Sequence, residues 1–472
     1  MYAPRTQEKR RASSFRHRAA LIFCGSLSVL VAGCATDKVT GKKKFALVQW
    51  SVEEEQQMGD TYAPNFQAEY DGPLLDAQAN AYLDGLIREM ATHSVRKDDF
   101  AYRFTILNSS TPNAFALPGG YVYVTRGLLQ NLETEGQFIS VMGHELGHVE
   151  HQHSMFQQNR LLLTAVSLGI GGIIESQVIN KGDPDKPTYV TAAAAVAVPV
   201  FLLRYDRNQE LESDARGVYF SHRMGYNPNE GARTFEYFQR LERESGSSTP
   251  ELLRTHPLNE RRVDEIRRRV AEEYPEIKTK PKESFRPLSD NNRRFEQIVS
   301  RLKSVAPAYQ KYDDAMMQLA RSSEDPQAFE KAGKLLDEAR RMLPDEPLFI
   351  IGAGELMYAQ QKGDRGRADF EKALKTYELA GPRRGHWKPS FYLGALAVDS
   401  GNGAQAESLL KKSAGVFPMQ PLIHYYLGRA QELGGRLNEA LSSYQNVLQL
   451  APEESALHKN ASKRLAELQP DA

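Results

Sequence analysis

Leu75, Ala79, Tyr82, Leu86 and Met90 recur at three- and four-residue intervals, which predicts an amphipathic helix whose stripe is plain core. Upstream, Ser51-Val52-Glu53-Glu54 has the spacing of a capping box and predicts a helix start. Residues 102–107 and 121–125 are rich in aromatic and β-branched side chains and predict strands. Pro118-Gly119-Gly120 turns the chain between 114–117 and the second run, giving a small sheet. Thr134 and Gln137 repeat the capping-box spacing and open a helix through Phe138, Val141 and Met142 into His144.

Two apolar stretches, 161–174 and 192–203, flank a polar Gly/Pro/Asp loop at 180–187 and predict a helical hairpin. Each is shorter than the roughly 20 residues a spanning helix needs, and Gly169, Gly171, Gly172 and Pro199 interrupt them. Packing on the neighbouring domain is the expectation, with membrane insertion as the alternative. Between 274 and 289 the composition turns to Pro, Lys and Glu, which marks a linker or an extended crossing. Phe295, Ile298, Val299 and Leu302 then form a helical stripe able to dock the two halves of the chain.

The last third repeats itself. Leu393, Gly394, Ala406, Leu410 and Pro418 are matched 34 positions later by Leu427, Gly428, Ala440, Tyr444 and Pro452, the period of tetratricopeptide repeats. Leu319, Ala320, Ala332, Leu336, Ala339 and Pro344 keep the same internal spacing, and Gly354, Phe370 and Ala373 fit a looser repeat. About four repeats and a closing helix near 456–468 result, in which stacking buries what no single repeat can bury.

Composition changes this picture little. The 472 residues carry 41% hydrophobic side chains, enough for more than one core. Sixty basic and sixty acidic residues cancel, so no global charge argues for nucleic acid as a partner. The N-terminus departs from this balance: Arg5, Lys9, Arg10, Arg11, Arg16 and Arg18 precede an apolar run, 19–32, the layout of a secretory signal. The run closes on Val31-Ala32-Gly33-Cys34, which resembles a bacterial lipoprotein box. That resemblance implies lipidation of Cys34 as the mature N-terminus, and Ala35 after it favours the outer membrane. Cys24 would leave with the signal, so no disulfide forms within the mature chain.

His144-Glu145-Leu146-Gly147-His148 is an HExxH motif, whose spacing puts both imidazoles on one helix face within reach of one zinc ion. A catalytic zinc takes three protein ligands and keeps one position for water. Glu145 can accept the proton as that water attacks. In Arg207-Asn208-Gln209-Glu210-Leu211-Glu212-Ser213-Asp214, Glu210 and Asp214 lie one turn apart. Glu210 supplies the missing third ligand, and Asp214 a hydrogen-bond acceptor that fixes a ligand histidine. His151 and His153 follow the motif without completing the metzincin spacing and read as structural or supporting residues.

With Asn113-Ala114-Phe115-Ala116-Leu117-Pro118-Gly119-Gly120, HELGH and the 210–214 segment together, residues 37–270 resemble the gluzincin peptidase family that includes BepA-type β-barrel assembly-enhancing proteases and the CaaX prenyl proteases. Trailing repeats make the likeness strongest to the BepA type; the lipoprotein box departs from it, and Ser213 stands where many relatives have Ala. The resemblance implies that Asn113, Ala114, Phe115 and Ala116 form an edge strand to which substrate adds as a further strand. It implies that His256, before Pro257, can fill the open metal position; on the residues alone, a metal-filling histidine and an ordinary loop histidine stand as equal alternatives.

The expectation is an α+β chain. It comprises a signal (1–33), a tether (34–50), a mostly helical zincin-like zinc peptidase domain with a small β-sheet (51–273), a linker and docking helix (274–312), and an all-α tetratricopeptide-repeat solenoid (313–472). Its expected function is that of a zinc endopeptidase with one Zn2+ per chain, held in the periplasm by a lipid in the inner leaflet of the outer membrane. Its partners would be unfolded or misassembled envelope polypeptides and, through the repeats, the barrel-assembly machinery. The rival expectation is a periplasmic chaperone or adaptor whose zinc site is largely plugged.

Overall fold

A computed structural model describes residues 33–46, 49–157, 205–244, 251–257, 260–286, 290–322, 325, 327–381 and 384–469. The expected signal up to residue 32 and the apolar hairpin of 161–203 lie outside the described residues, whereas Gly33 is described. Among the described residues, no helix is long and apolar enough to cross a membrane.

The fold is α+β. Strands β1 (Gly33–Thr36) and β2 (Lys43–Ala46) form an antiparallel hairpin. The segment expected as a tether is therefore partly folded, because Asp37 Oδ1 accepts from the Val39 and Thr40 amides and Gly41 adopts φ 68° in the connecting turn. Helix α1 (Val52–Glu69) starts at the Ser51–Glu54 capping box, both halves of which are present. Helix α2 (Ala77–Ala91) buries Ala79, Leu86 and Met90, while Leu75 lies ahead of it and packs against the apolar cluster of the repeats that includes Ile350 and Leu393.

Strands β3 (Arg103–Leu107), β4 (Ala114–Leu117) and β5 (Tyr121–Thr125) form a sheet of order β3-β5-β4. β3 pairs parallel and β4 antiparallel with β5, which leaves β4 at an edge. A short helix, α3 (Arg126–Leu129), leads into α4 (Glu135–Glu150). Only half of the expected capping box forms at α4. Thr134 accepts from the Gln137 amide, but Gln137 Oε1 accepts from the Glu133 amide, one residue too early. Helices α5 (Arg207–Arg223), α6 (Glu230–Glu244), α7 (Glu251–Thr255) and α8 (Glu260–Glu273) complete this half. The Pro-rich crossing behind α8 is not loose: Ile277 and Phe285 bury against Val218, Val263 and Val270.

Helix α9 (Asp290–Ala320) runs unbroken through position 312, where the sequence suggested a boundary. Its first half buries Phe295, Ile298, Val299 and Leu302 in the same core as Phe138, Met142 and Leu146 of α4. Four such side chains stabilise docking by roughly 6–12 kcal/mol. The partly exposed Arg301–Asp76 pair beside them, at 2.6 Å, adds under about 1 kcal/mol, so the apolar stripe dominates. The second half of α9 packs on α10 (Ala328–Met342) through Ala308, Tyr312 and Ala332.

The helices α11 (Pro347–Ala359), α12 (Gly363–Ala380), α13 (Trp387–Asp399), α14 (Gly403–Val416), α15 (Pro421–Leu433), α16 (Leu437–Leu450) and α17 (Ala456–Leu468) continue the repeats. Gly354, Gly394 and Gly428 recur where a Cβ would meet Phe370, Leu410 or Tyr444 of the paired helix at 2.6, 2.7 and 2.8 Å. The small residue at that repeat position is what lets each pair close. Repeats and N-terminal half meet at polar contacts, among them Arg126 stacked 3.5 Å above the Tyr309 ring and Asn108 Nδ2 donating to Glu346 Oε1 at 3.1 Å. Ala68 joins the apolar cluster of Trp387, Phe391 and Phe417.

Candidate metal centre

α4 carries the HExxH residues and α5 carries Glu210 and Asp214. The two helices cross closely because glycines line the crossing: a Cβ on Gly147 would come within 2.9 Å of the Ser213 Cα, and one on Gly217 within 2.9 Å of the Ser140 carbonyl. α5 starts at Asp206, whose capping box with Gln209 sets the first turn and puts Glu210 at the positive end of the helix.

His144, Glu145, His148 and Glu210 are all buried. His144 Nε2 and His148 Nε2 lie 3.0 Å apart, and Glu210 places Oε2 3.6 Å from the first and Oε1 3.5 Å from the second. A tetrahedral zinc with ligand bonds near 2.0–2.1 Å needs ligand atoms about 3.3 Å from one another, so this donor set fits the ion. His144 Nδ1 faces Asp214 Oδ1 at 2.9 Å, which fixes that ring with its Nε2 lone pair inward.

His256 enters from the loop after α7. Its Nδ1 lies 3.1 Å from Glu210 Oε1 and 3.3 Å from His144 Nε2, and its Nε2 is 3.8 Å from Glu145 Oε1. The ligand atoms of His144, His148, Glu210 and His256 all lie within 4.8 Å of one another. The loop is pinned where the Tyr205 amide donates to the Thr255 carbonyl and the Arg262 guanidinium to the Pro257 carbonyl. Tyr205 also stacks on His148, centroids 3.8 Å apart.

Burial pushes the Glu145 carboxyl up, which makes it a better proton acceptor. Burial would raise Glu210 as well, but the charge of Arg262 and the nearby imidazoles outweigh it and hold Glu210 low. Asp214 is held at about 2: its burial is outweighed by Arg262 and by the His144 contact. Burial disfavours the charged form of His256, but Glu210 and Glu145 beside it raise its pKa on balance.

Arg262 is the residue the sequence reading missed. Its Nη1 lies 2.5 Å from Glu210 Oε2, and its Nε and Nη2 form a fork on Asp214 at 2.8 and 2.6 Å. Its sequence signal is phase: Arg262 is spaced four residues before Ile266 and eight before Val270, on the buried face of α8. Of the expected edge residues, Ala114, Phe115 and Ala116 lie in β4. Asn113 precedes the strand, with its Nδ2 donating to the Tyr70 hydroxyl at 2.9 Å and its Oδ1 accepting from the Ala114 amide. Cys34 sits in β1 opposite Phe45.

Residues 77–270 match peptidase family M48. Over these residues the chain is similar to that family's peptidase domain. A β-barrel assembly-enhancing protease of Escherichia coli (strain K12) is 27% identical over 372 residues, 77% of this chain and 73% of that protein. A mitochondrial metalloendopeptidase of Schizosaccharomyces pombe is 24% identical over 251 residues, 51% of this chain and 67% of that protein. The solved structure of MamA 41-end from Desulfovibrio magneticus RS-1 aligns with 35% of this chain and 94% of its own at 20% identity. Its TM-score of 0.27 is too low to bear on the fold. The chain is a metalloendopeptidase.

Proposed function

We propose that this metalloendopeptidase uses one zinc ion held by His144, His148 and Glu210 to cut misfolded or misassembled envelope proteins. The observation that carries this is the convergence of two Nε2 atoms and one carboxylate at 3.0–3.6 Å from one another, with the buried Glu145 next to His144 in the chain. When bound, the ion supplies Lewis-acid polarisation of the scissile carbonyl and lowers the pKa of a water. Glu145 accepts that water's proton on a carboxylate oxygen and returns it to the leaving nitrogen. Asp214 holds His144 by its Nδ1, and Arg262 balances the charge of both carboxylates.

The β4 edge supports a substrate bound as an added strand, where backbone hydrogen bonds supply affinity without strict sequence choice. The likeness to a β-barrel assembly-enhancing protease of E. coli supports a role in quality control of outer-membrane barrels, with the repeats docking the barrel-assembly machinery or presenting substrate. Lipidation at Cys34 would hold the protein in the periplasm on the inner leaflet of the outer membrane; mass spectrometry finding a mature N-terminus elsewhere, without acyl mass, would reject the anchor.

The second reading, a chaperone or adaptor with a plugged site, has one observation in its favour: His256 stands beside Glu210 and His144. Casein digestion with and without a chelator separates the two. Chelator-sensitive cleavage supports the peptidase reading, and no cleavage by the fully zinc-loaded chain supports the adaptor.

A further inference from the structure

His148 presents one ring nitrogen to the metal centre and the other to a second histidine. Its Nδ1 lies 2.9 Å from His153 Nδ1, while His153 Nε2 lies 3.0 Å from Glu212 Oε2. Two ring nitrogens at that distance must divide the roles of donor and acceptor. If His148 donates from Nδ1, its Nε2 keeps a lone pair for the metal. His153 then accepts on Nδ1 and donates its Nε2–H to Glu212. The opposite assignment puts the His148 proton on Nε2, facing the other ligands, and leaves His153 Nε2 bare against a carboxylate. The first assignment alone satisfies every group.

Glu212 is in turn fixed from outside α5. Lys44 Nζ lies 3.0 Å from Glu212 Oε2 and 2.9 Å from Asp37 Oδ2, and that same Asp37 oxygen lies 2.7 Å from His151 Nδ1. Asp37 and Lys44 belong to the β1–β2 hairpin. The turn that brings His153 back against His148 is made by Gln152, a non-glycine residue at φ 54°, a conformation costing roughly 1 kcal/mol or more. Its side chain is held by Glu55 Oε2 at 3.1 Å. His153 and Asp37 are fully buried, so the array is closed to bulk water on its inner side.

We infer that His153 is a positioning residue of the metal centre, fixing the tautomer and orientation of His148, and that the N-terminal hairpin holds His153 in place through Lys44 and Glu212. The inference rests on the reading that His144, His148 and Glu210 bind zinc. It makes residues 37–44, which touch no proposed ligand, a working part of the site.

The test is the zinc dissociation constant of the full chain, measured by competition with a chromogenic chelator, with circular dichroism of each zinc-free variant as the folding control. In His153→Asn the amide oxygen takes the place of Nδ1 and can still accept from His148; in His153→Gln the side chain reaches instead toward the position of Nε2. Affinity is expected to stay within a few-fold of wild type in His153→Asn and to fall roughly 10- to 100-fold in His153→Gln. Lys44→Met leaves every imidazole intact and should weaken zinc several-fold. Equal affinities for wild type and both His153 variants overturn the positioning role, and an unchanged Lys44→Met overturns the part played by the hairpin. A second zinc per chain that is lost in His151→Ala also overturns it, since His151, His153 and Glu212, whose ligand atoms lie within 4.8 Å of one another, would then be a metal site themselves. A wild-type chain that binds no zinc sinks the underlying ligand assignment instead.

Discussion

Arg262 holds Asp214 with a two-point fork, Nε to Oδ2 at 2.8 Å and Nη2 to Oδ1 at 2.6 Å, with both side chains buried. The same guanidinium reaches Glu210, so one cation balances two buried carboxylates, one of them a proposed ligand. Arg262→Met is expected to destabilise the zinc-free chain by roughly 3–5 kcal/mol, because both carboxylates lose their buried guanidinium partner in a low-dielectric interior. Added zinc should recover part of that loss. Urea unfolding with and without zinc checks this, and a loss below about 1 kcal/mol in both states would show that the fork does not stabilise the site. Arg262→Lys should fall between, keeping the charge without the fork.

Glu145→Gln should keep zinc near one ion per chain and lose casein hydrolysis by about two or more orders of magnitude, because the amide cannot accept the proton. Wild-type turnover by the purified variant would remove Glu145 from the mechanism.

His256→Ala reads out the sign of the loop histidine. Filling the position that water needs suppresses hydrolysis, so its removal should raise casein cleavage and self-cleavage at equal zinc content. A fall in rate would instead assign His256 to stabilising the oxyanion. An unchanged rate would leave it an ordinary loop residue.

Gly147→Ala places a Cβ within 2.9 Å of both the Ser213 Cα and the Arg216 Cβ. α5 must then move off α4 and carry Glu210 with it. The expected cost is roughly 1–3 kcal/mol in stability, with weaker zinc binding measured by chelator competition. Unaltered affinity would mean that the close crossing is not what sets the ligand spacing.

Asp71 sits half-buried between the two halves of the chain, and burial pushes its carboxyl up to about 6, with Glu355 and Asp313 adding to the rise against Lys388 and Arg126. The folded chain then keeps a proton that the unfolded chain has already released, so this group's contribution to stability falls as pH rises from about 4 to about 6. Asp71→Asn should therefore be more stable than wild type at pH 7–8, by roughly 1–2 kcal/mol, and no different near pH 4. Asn also tolerates the left-handed backbone at φ 61°. Parallel pH–stability curves for the two proteins would contradict the shift.

What the sequence alone determined is what local chemistry encodes. The four-residue spacings of His144 to His148 and of Glu210 to Asp214 survive any packing, because a helix fixes them. The 34-residue period carries its small positions directly into the helix contacts at Gly394 and Gly428. The capping box at Ser51 is likewise local and forms in full. Tertiary structure decided the rest. Arg262 is one of many arginines on a charged helix, and only the docking of α8 turns it onto Glu210 and Asp214. His153, Glu212, Lys44 and Asp37 come from three separate segments, and a polar tether and a docked hairpin read alike in sequence. Their bond to the site depends on a left-handed Gln152 and on the crossing of α4 with α5. Such contacts join residues far apart in the chain, and no periodicity records them, because each is set by where a folded surface brings its partner.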